Sequence, residues 1–200
     1  LENTRNVTDS TIGPDVVDQL GEAWTVPIRA TGTFGGYAAT PVIVDGVVYT
    51  QDLDSSVYAI DLATGAERWF HEETSPTVGP NGVNVVDGVV YAANAQEAFA
   101  LDAATGEEVW RSERLVRNAN EGIDMAPGVH DGRVYVSTVP GNVKSFYKGN
   151  GQGVLWALDA KTGSKDWTFD TVPANLWSDE HAELNSGGGL WHAPAFDEQG

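Results

Sequence analysis

Residues 57–69 read VYAIDLATGAERW, and their last six letters, T-G-A-E-R-W at 64–69, return as T-G-E-E-V-W at 105–110 and T-G-S-K-D-W at 162–167. In the first half of that stretch Val57, Ala59 and Asp61 fall on one side of the chain and Tyr58 and Ile60 on the other, the period-two pattern of a strand. Thr64-Gly65 then makes a turn, and Trp69 lies on the outgoing strand. Upstream, Asp45-Gly46 separates two β-rich apolar runs, and Asp87-Gly88 and Asp131-Gly132 repeat it. Asp-Gly between such runs is a strong hairpin signal, because Gly accepts the positive φ of a primed turn.

Each copy therefore reads as four short strands, at 40–69, 81–110 and 126–167, with a further copy starting at 193–200. Residues 1–39 precede the first copy and 168–192 form a long loop after the third. Repeats of about 40 residues with four strands each indicate propeller blades. The expected fold is all-β, a partial β-propeller of four-stranded antiparallel blades with about three blades complete. No stretch shows the sustained 3.6-residue periodicity of a large helix.

A blade cannot bury both faces alone, so it docks on its neighbours. One large aromatic per blade supplies ~150–250 Å² of contact, and a turn glycine without a Cβ lets a flat ring approach the backbone. Trp69, Trp110 and Trp167 are expected to be buried between neighbouring blades, with Gly65, Gly106 and Gly163 at the turns.

Composition excludes several functions. The net charge of −18 lacks the basic footprint that nucleic acid requires and is equally unsuited to anionic lipid. No apolar run approaches the length of a membrane span. There is no cysteine, so disulfides, thiolate catalysis and Cys-ligated zinc are excluded. The chain opens at Leu1 without a charged region followed by an apolar one, so a signal peptide is expected to be already removed. Asn6-Val7-Thr8 is a glycosylation sequon.

The three copies A-I-D-L-A-T-G-A-E-R-W, A-L-D-A-A-T-G-E-E-V-W and A-L-D-A-K-T-G-S-K-D-W resemble the tryptophan-docking motif of the pyrroloquinoline quinone (PQQ) repeat. Residues 3–26 resemble the N-terminal segment of quinoprotein alcohol dehydrogenases, and residues 171–197 resemble their loop with a triple glycine and a tryptophan. The resemblance implies an eight-bladed ring in which the N-terminal segment adds the outermost strand of the last blade, Trp24 being its docking tryptophan. It also implies a quinone at the channel mouth, stacked on a tryptophan and coordinated to calcium or a lanthanide. Carried onto this sequence, Trp177 matches the stacking tryptophan, and Asn185, Gly187, Gly188 and Gly189 the glycine loop. Other parts differ. Ala38 stands where the family often has a quinone-contacting glutamate, the adjacent-cysteine disulfide cannot form, and residues 136–146 hold no acid where many members have a metal-ligating one.

Other candidates have weaker chemistry. Asp52-x-Asp54-x-Ser56 opens like a calcium loop but lacks its sixth-position Gly and closing Glu, and reads as a solvated loop. Asp179, Glu180, His181 and Glu183 read as a polar loop, since a metal needs convergent ligands. The Gly-rich residues 149–153 open no helix and are no phosphate cradle. His71, His130 and His192 show no evident Ser or carboxylate partner at a recognisable spacing, and no metal site is assigned.

The expectation is a secreted or periplasmic PQQ-like propeller related to quinoprotein alcohol dehydrogenases. PQQ and calcium belong to the complete protein, and neither cofactor binding nor alcohol oxidation is expected of the 200 residues alone. Its partners are the remaining blades, from a longer chain or from partner chains. The alternative is a non-enzymatic interaction scaffold, like the outer-membrane assembly lipoprotein built from the same repeat.

Overall fold

The computed structural model describes residues 10, 12–146 and 148–197. The sequon at Asn6 and the last residues of the 193–200 copy lie outside the described residues. Strands come in fours. The first sheet has β1 (Val42–Val44), β2 (Val47–Gln51), β3 (Val57–Asp61) and β4 (Glu67–His71), adjacent in that order. The second has β5 (Asn84–Val86), β6 (Val89–Ala93), β7 (Ala98–Asp102) and β8 (Glu108–Arg111). Next, β9 (Glu121–Gly122) pairs with β12 (Val139–Pro140) in a two-residue ladder. The third sheet is β10 (Gly128–His130), β11 (Arg133–Ser137), β13 (Val154–Asp159) and β14 (Lys165–Asp170). All pairs are antiparallel. Among the described residues no helix is long and apolar enough to cross a membrane.

Two local devices repeat in each of the three four-stranded sheets. At the Asp-Gly hairpins both residues have positive φ, 48° and 74° at Asp45 and Gly46, as a primed turn requires. In the second hairpin the aspartate of the motif caps its own turn. Asp61 Oδ1 accepts from the Ala63 and Thr64 backbone N–H groups and the Thr64 hydroxyl. Asp102 and Asp159 do the same for their turns. The A-x-D-x-x-T-G spelling thus satisfies the turn's donors locally.

The alternation along β3 sorts its side chains between two cores. Val57 and Ala59 pack with Trp69 against Val85, Phe99 and Leu101 of the second sheet. Tyr58 and Ile60 face the other way, against Trp24, Val26, Ile28 and Phe70. The segment ahead of β1 therefore covers the outer face of the first sheet, although residues 20–31 belong to no strand. A third core joins the second and third sheets around Tyr91, Trp110, Met125, Val134 and Trp156.

The tryptophans link these layers in one direction. Trp24 sits on the Gly65 turn and donates its indole N–H to the Leu62 carbonyl at 2.9 Å. Trp69 sits on Gly106 and donates to Ala103 at 3.0 Å; Trp110 sits on Gly163 and donates to Ala160 at 2.9 Å. A Cβ at Gly65 would lie 2.6 Å from Trp24 Cγ, and one at Gly106 2.7 Å from Trp69 Cδ2. Each ring lands on the turn of the following sheet, three residues past the carbonyl it bonds. Trp167 departs from the expected burial. It is 40% exposed, against 9% for Trp69 and 7% for Trp110, and all six residues of β14 are exposed. Its ring leans on Tyr135, and no fourth four-stranded sheet follows it among the described residues to offer a turn glycine.

Candidate functional site

The loops and linkers at one end of the sheets knit together, and most of the buried polar groups lie there. The linker after β4 runs over the β2–β3 and β6–β7 loops. Ser75 and Thr77 N–H groups donate to the Asp54 and Leu53 carbonyls, and Ala95 N–H donates to the Ser75 hydroxyl. Asn81 donates to the Asp52 carbonyl at 2.6 Å, and Gly82 N–H to Gln51 Oε1 at 3.1 Å.

Asp52 is only 1% exposed, so the β2–β3 loop is a buried knot and not the solvated loop its spelling suggested. Its Oδ1 accepts from the Asp54 and Ser56 N–H groups, and its Oδ2 from the Tyr58 hydroxyl at 2.8 Å. Burial raises the Asp52 pKa against those hydrogen bonds, and burial pushes Tyr58 up to about 12. The preceding segment closes the knot, with Leu53 N–H donating to the Gly36 carbonyl and Tyr37 hydrogen-bonded to Thr50. Phe34 of that segment reaches the third sheet's loop and stacks on Phe146, centroids 5.4 Å apart.

Asp124, in the lead-in to β10, is buried as well. Its Oδ1 accepts from Val78 and Gly79 N–H at 2.9 and 3.3 Å, tying the lead-ins of the second and third sheets together. Burial pushes its pKa up to about 6, with the two N–H groups pulling the other way. Sequence reasoning missed it. Its only local sign was a lone acid in the apolar run Ile123-Asp124-Met125.

His71 also has partners that its spacing did not reveal. Its Nε2 lies 3.5 Å from Glu73, and Glu73 and Glu108 both meet Arg111, at 2.5 and 2.6 Å. Burial raises the Glu73 pKa, but hydrogen bonds from His71, Arg111 and Asn94 outweigh it and hold the group at about 2. His71, Glu73 and Glu108 are the one His/Asp/Glu group among the described residues close enough to share a cation. The Arg111 guanidinium already supplies the positive charge there.

Of the residues matched to the quinone site, Asn185, Gly187, Gly188 and Gly189 share one loop packed on the third sheet. Asn185 spends its amide on Ser178, accepting from its N–H at 3.0 Å and donating to its carbonyl at 2.8 Å. The triple glycine lies backbone to backbone on residues 149–153. Gly187 N–H donates to Gly151 and Gly153 N–H to Gly187. A Cβ at Gly189 would sit 2.7 Å from Val139, and one at Gly188 would strike Thr171. Trp177 is half-buried at the end of the 3-10 turn Ala174–Leu176. Asp179, Glu180, His181 and Glu183 are exposed, with His181 and Glu183 3.9 Å apart. His130 stacks on Phe196. The described residues fit a quinone and metal only in part: Asn81 and Thr77 leave buried oxygens unpartnered in the linker after β4, but the one group close enough to share a cation, His71, Glu73 and Glu108, already has the Arg111 guanidinium on both carboxylates.

Residues 53–190 match the family described as outer membrane protein assembly factor BamB. Residues 2–85 match the family described as glucose/ethanol/alcohol dehydrogenase, beta-propeller domain. The chain is 32% identical to the quinohemoprotein alcohol dehydrogenase of Comamonas testosteroni, over 92% of this chain and 28% of that protein. It is 32% identical to quinohemoprotein alcohol dehydrogenase ADH IIB of Pseudomonas putida, over 92% of this chain and 29% of that protein. It thus spans less than a third of the length of these relatives. The crystal structure of the Comamonas testosteroni enzyme superposes with a TM-score of 0.70 at 29% identity, covering 82% of this chain and 28% of that one. BamB from Moraxella catarrhalis shares the fold with a TM-score of 0.55 at 24% identity, covering 80% of this chain and 44% of that one.

Proposed function

The chain belongs to the PQQ-repeat β-propeller family, and from that premise we propose that it forms the opening blades of a dehydrogenase-type quinoprotein. One observation carries the choice. The dehydrogenase match runs through the segment ahead of β1, whereas the BamB match begins at residue 53, and that segment is seated on the first sheet by Trp24.

In the whole protein the reaction is oxidation of an alcohol, the quinone, with calcium, supplying the hydride acceptor. This chain's part is to build one wall of the mouth. Trp177 and the loop of Asn185, Gly187, Gly188 and Gly189 border the cofactor, with Asn185 fixing the loop through Ser178. The remaining blades come from a longer chain or partner chains, in an extracellular or periplasmic setting. The incomplete donor set supports assigning the metal ligands to residues outside this chain.

The test is a titration of the full-length protein with PQQ and calcium, followed by absorption and dye-linked alcohol oxidation. Saturable spectral change with turnover is expected, as is loss of quinone affinity in Trp177→Ala. The 200 residues alone are expected to be inactive. Absence of any quinone spectrum from the full-length protein would favour the interaction scaffold, the reading supported by Ala38 and by the lack of acid across 136–146.

A further inference from the structure

The acidic chain has seven arginines, of which six are described. Five of those, Arg29, Arg68, Arg111, Arg117 and Arg133, are ion-paired with carboxylates. Arg114 has no carboxylate partner among the described residues. With acids outnumbering bases 29 to 11, a guanidinium without one needs a reason.

Arg114 lines a cleft of about 280 Å³ between the linker after β4, the β6–β7 loop and the loop after β12. It is held in place, not swinging free. Its Nη1 donates to Gln96 Oε1 at 2.8 Å and its Nε to the Val116 carbonyl at 3.3 Å. Neither contact involves Nη2. Lys144 lines the same cleft from the third sheet's loop, and among the described residues its ammonium has no carboxylate partner. Its backbone N–H is fixed by Asn142 Oδ1 at 2.9 Å. Thr74 and Ser75 of the linker after β4 also line the cleft.

Glu121 is the one acid in the lining, and it is buried. Its oxygens accept from Arg117 N–H, Asn118 Nδ2 and Gln152 N–H. The lining thus carries two cations against one carboxylate whose oxygens are already hydrogen-bonded within the fold, a local positive balance within a chain of net charge −18. A guanidinium held by two hydrogen bonds, in a cleft that a lysine also lines, suits a planar or tetrahedral oxyanion.

We propose that this cleft binds a small oxyanion, a carboxylate or a phosphate, with Arg114 as its fork and Lys144 as its second cation. The site stands apart from the residues matched to the quinone: it contains none of Trp177, Asn185, Gly187, Gly188 or Gly189. Binding is carried by local charge, against the repulsion of the surrounding acidic surface.

Isothermal titration calorimetry on the full-length protein, at fixed ionic strength, tests this with malonate, inorganic phosphate and neutral malonamide. Saturable binding of malonate or phosphate is expected, the stronger of the two naming the ligand's chemistry, with no binding of malonamide. Arg114→Gln should weaken the bound anion at least tenfold, and Arg114→Lys should recover only part of that loss. Lys144→Gln, whose side chain makes no hydrogen bond within the fold among the described residues, should weaken it several-fold with an unchanged melting temperature. Equal affinity in wild type and both Gln variants, or no saturable binding of either anion, would overturn the proposal.

Discussion

Trp110 and Trp167 stand at the same place in the same motif, yet the first is 7% exposed and the second 40%. Both rings lean on the tyrosine of their own sheet, Tyr91 and Tyr135, at nearly the same distance, 6.1 and 5.9 Å. What separates them is the next turn. Trp110 has Gly163 beneath it and the Ala160 carbonyl on its indole N–H, and Trp167 has neither among the described residues. The motif supplies one half of a joint, and burial comes from the neighbour that supplies the other.

The contrast is broken most forcefully at Trp110. Trp110→Ala should lower unfolding stability by about 3–5 kcal/mol, since a large aromatic lost from a packed core leaves a cavity. Denaturant melts would measure it. Next comes the acceptor side. Gly106 has φ +75° and the Trp69 ring 2.7 Å from where a Cβ would be, while Gly88 has φ +78° and nothing within 4 Å. Gly106→Ala should cost roughly 2–4 kcal/mol, from strain plus collision, and Gly88→Ala only about 1 from strain. Equal losses at the two positions would mean that ring contact adds nothing to backbone conformation.

A smaller effect tests the seam between the lead-ins of the second and third sheets. The Asp124 carboxyl is pushed up to about 6, above its unfolded value of about 4. The folded state therefore holds the proton more tightly than the unfolded state. The penalty is absent below about pH 4, grows as pH rises to about 6, and is constant above. Asp124→Asn should remove that slope and leave the variant about 1–2 kcal/mol more stable than wild type at pH 7. Melts at pH 4 and pH 7 read this directly. Smallest of all, Trp167→Ala should cost the isolated 200 residues less than about 1 kcal/mol. In the full-length protein the same change should approach the loss at Trp110 if a following turn covers the ring.

What the sequence made legible was whatever a few neighbouring residues decide. The Asp-Gly hairpins, the period-two strands and the turn glycines are settled within six or so residues by φ preferences and local donors. Partnerships between sheets were not legible. The Asp52 loop reads as solvated until the linker from 73 to 77 and the carbonyl of Gly36 are laid over it. His71 reads as unpartnered although Glu73 is only two residues on, because the Arg111 that ion-pairs with Glu73 lies on another sheet. Asn185 has the spelling of a ligand contact, while its amide is occupied by Ser178. Within the triple glycine the requirement differs by position: Gly189 faces a second backbone, with Val139 Cα 2.7 Å from where its Cβ would be, Gly188 faces the Thr171 hydroxyl, and a Cβ at Gly187 would meet nothing within 4 Å.

The joint between sheets has an evolutionary consequence. Receiving glycine and donating tryptophan sit only a few positions apart, as Gly65 and Trp69 do, or Gly106 and Trp110. One duplicated gene segment therefore inherits both ends of the connection and can be spliced between existing copies without redesigning either neighbour. The selective constraint, however, links different copies. A substitution at Gly106 is answered by Trp69, and one at Gly163 by Trp110. Covariation across homologues should therefore pair each glycine with the tryptophan one repeat upstream, and not with the tryptophan four residues away in its own copy.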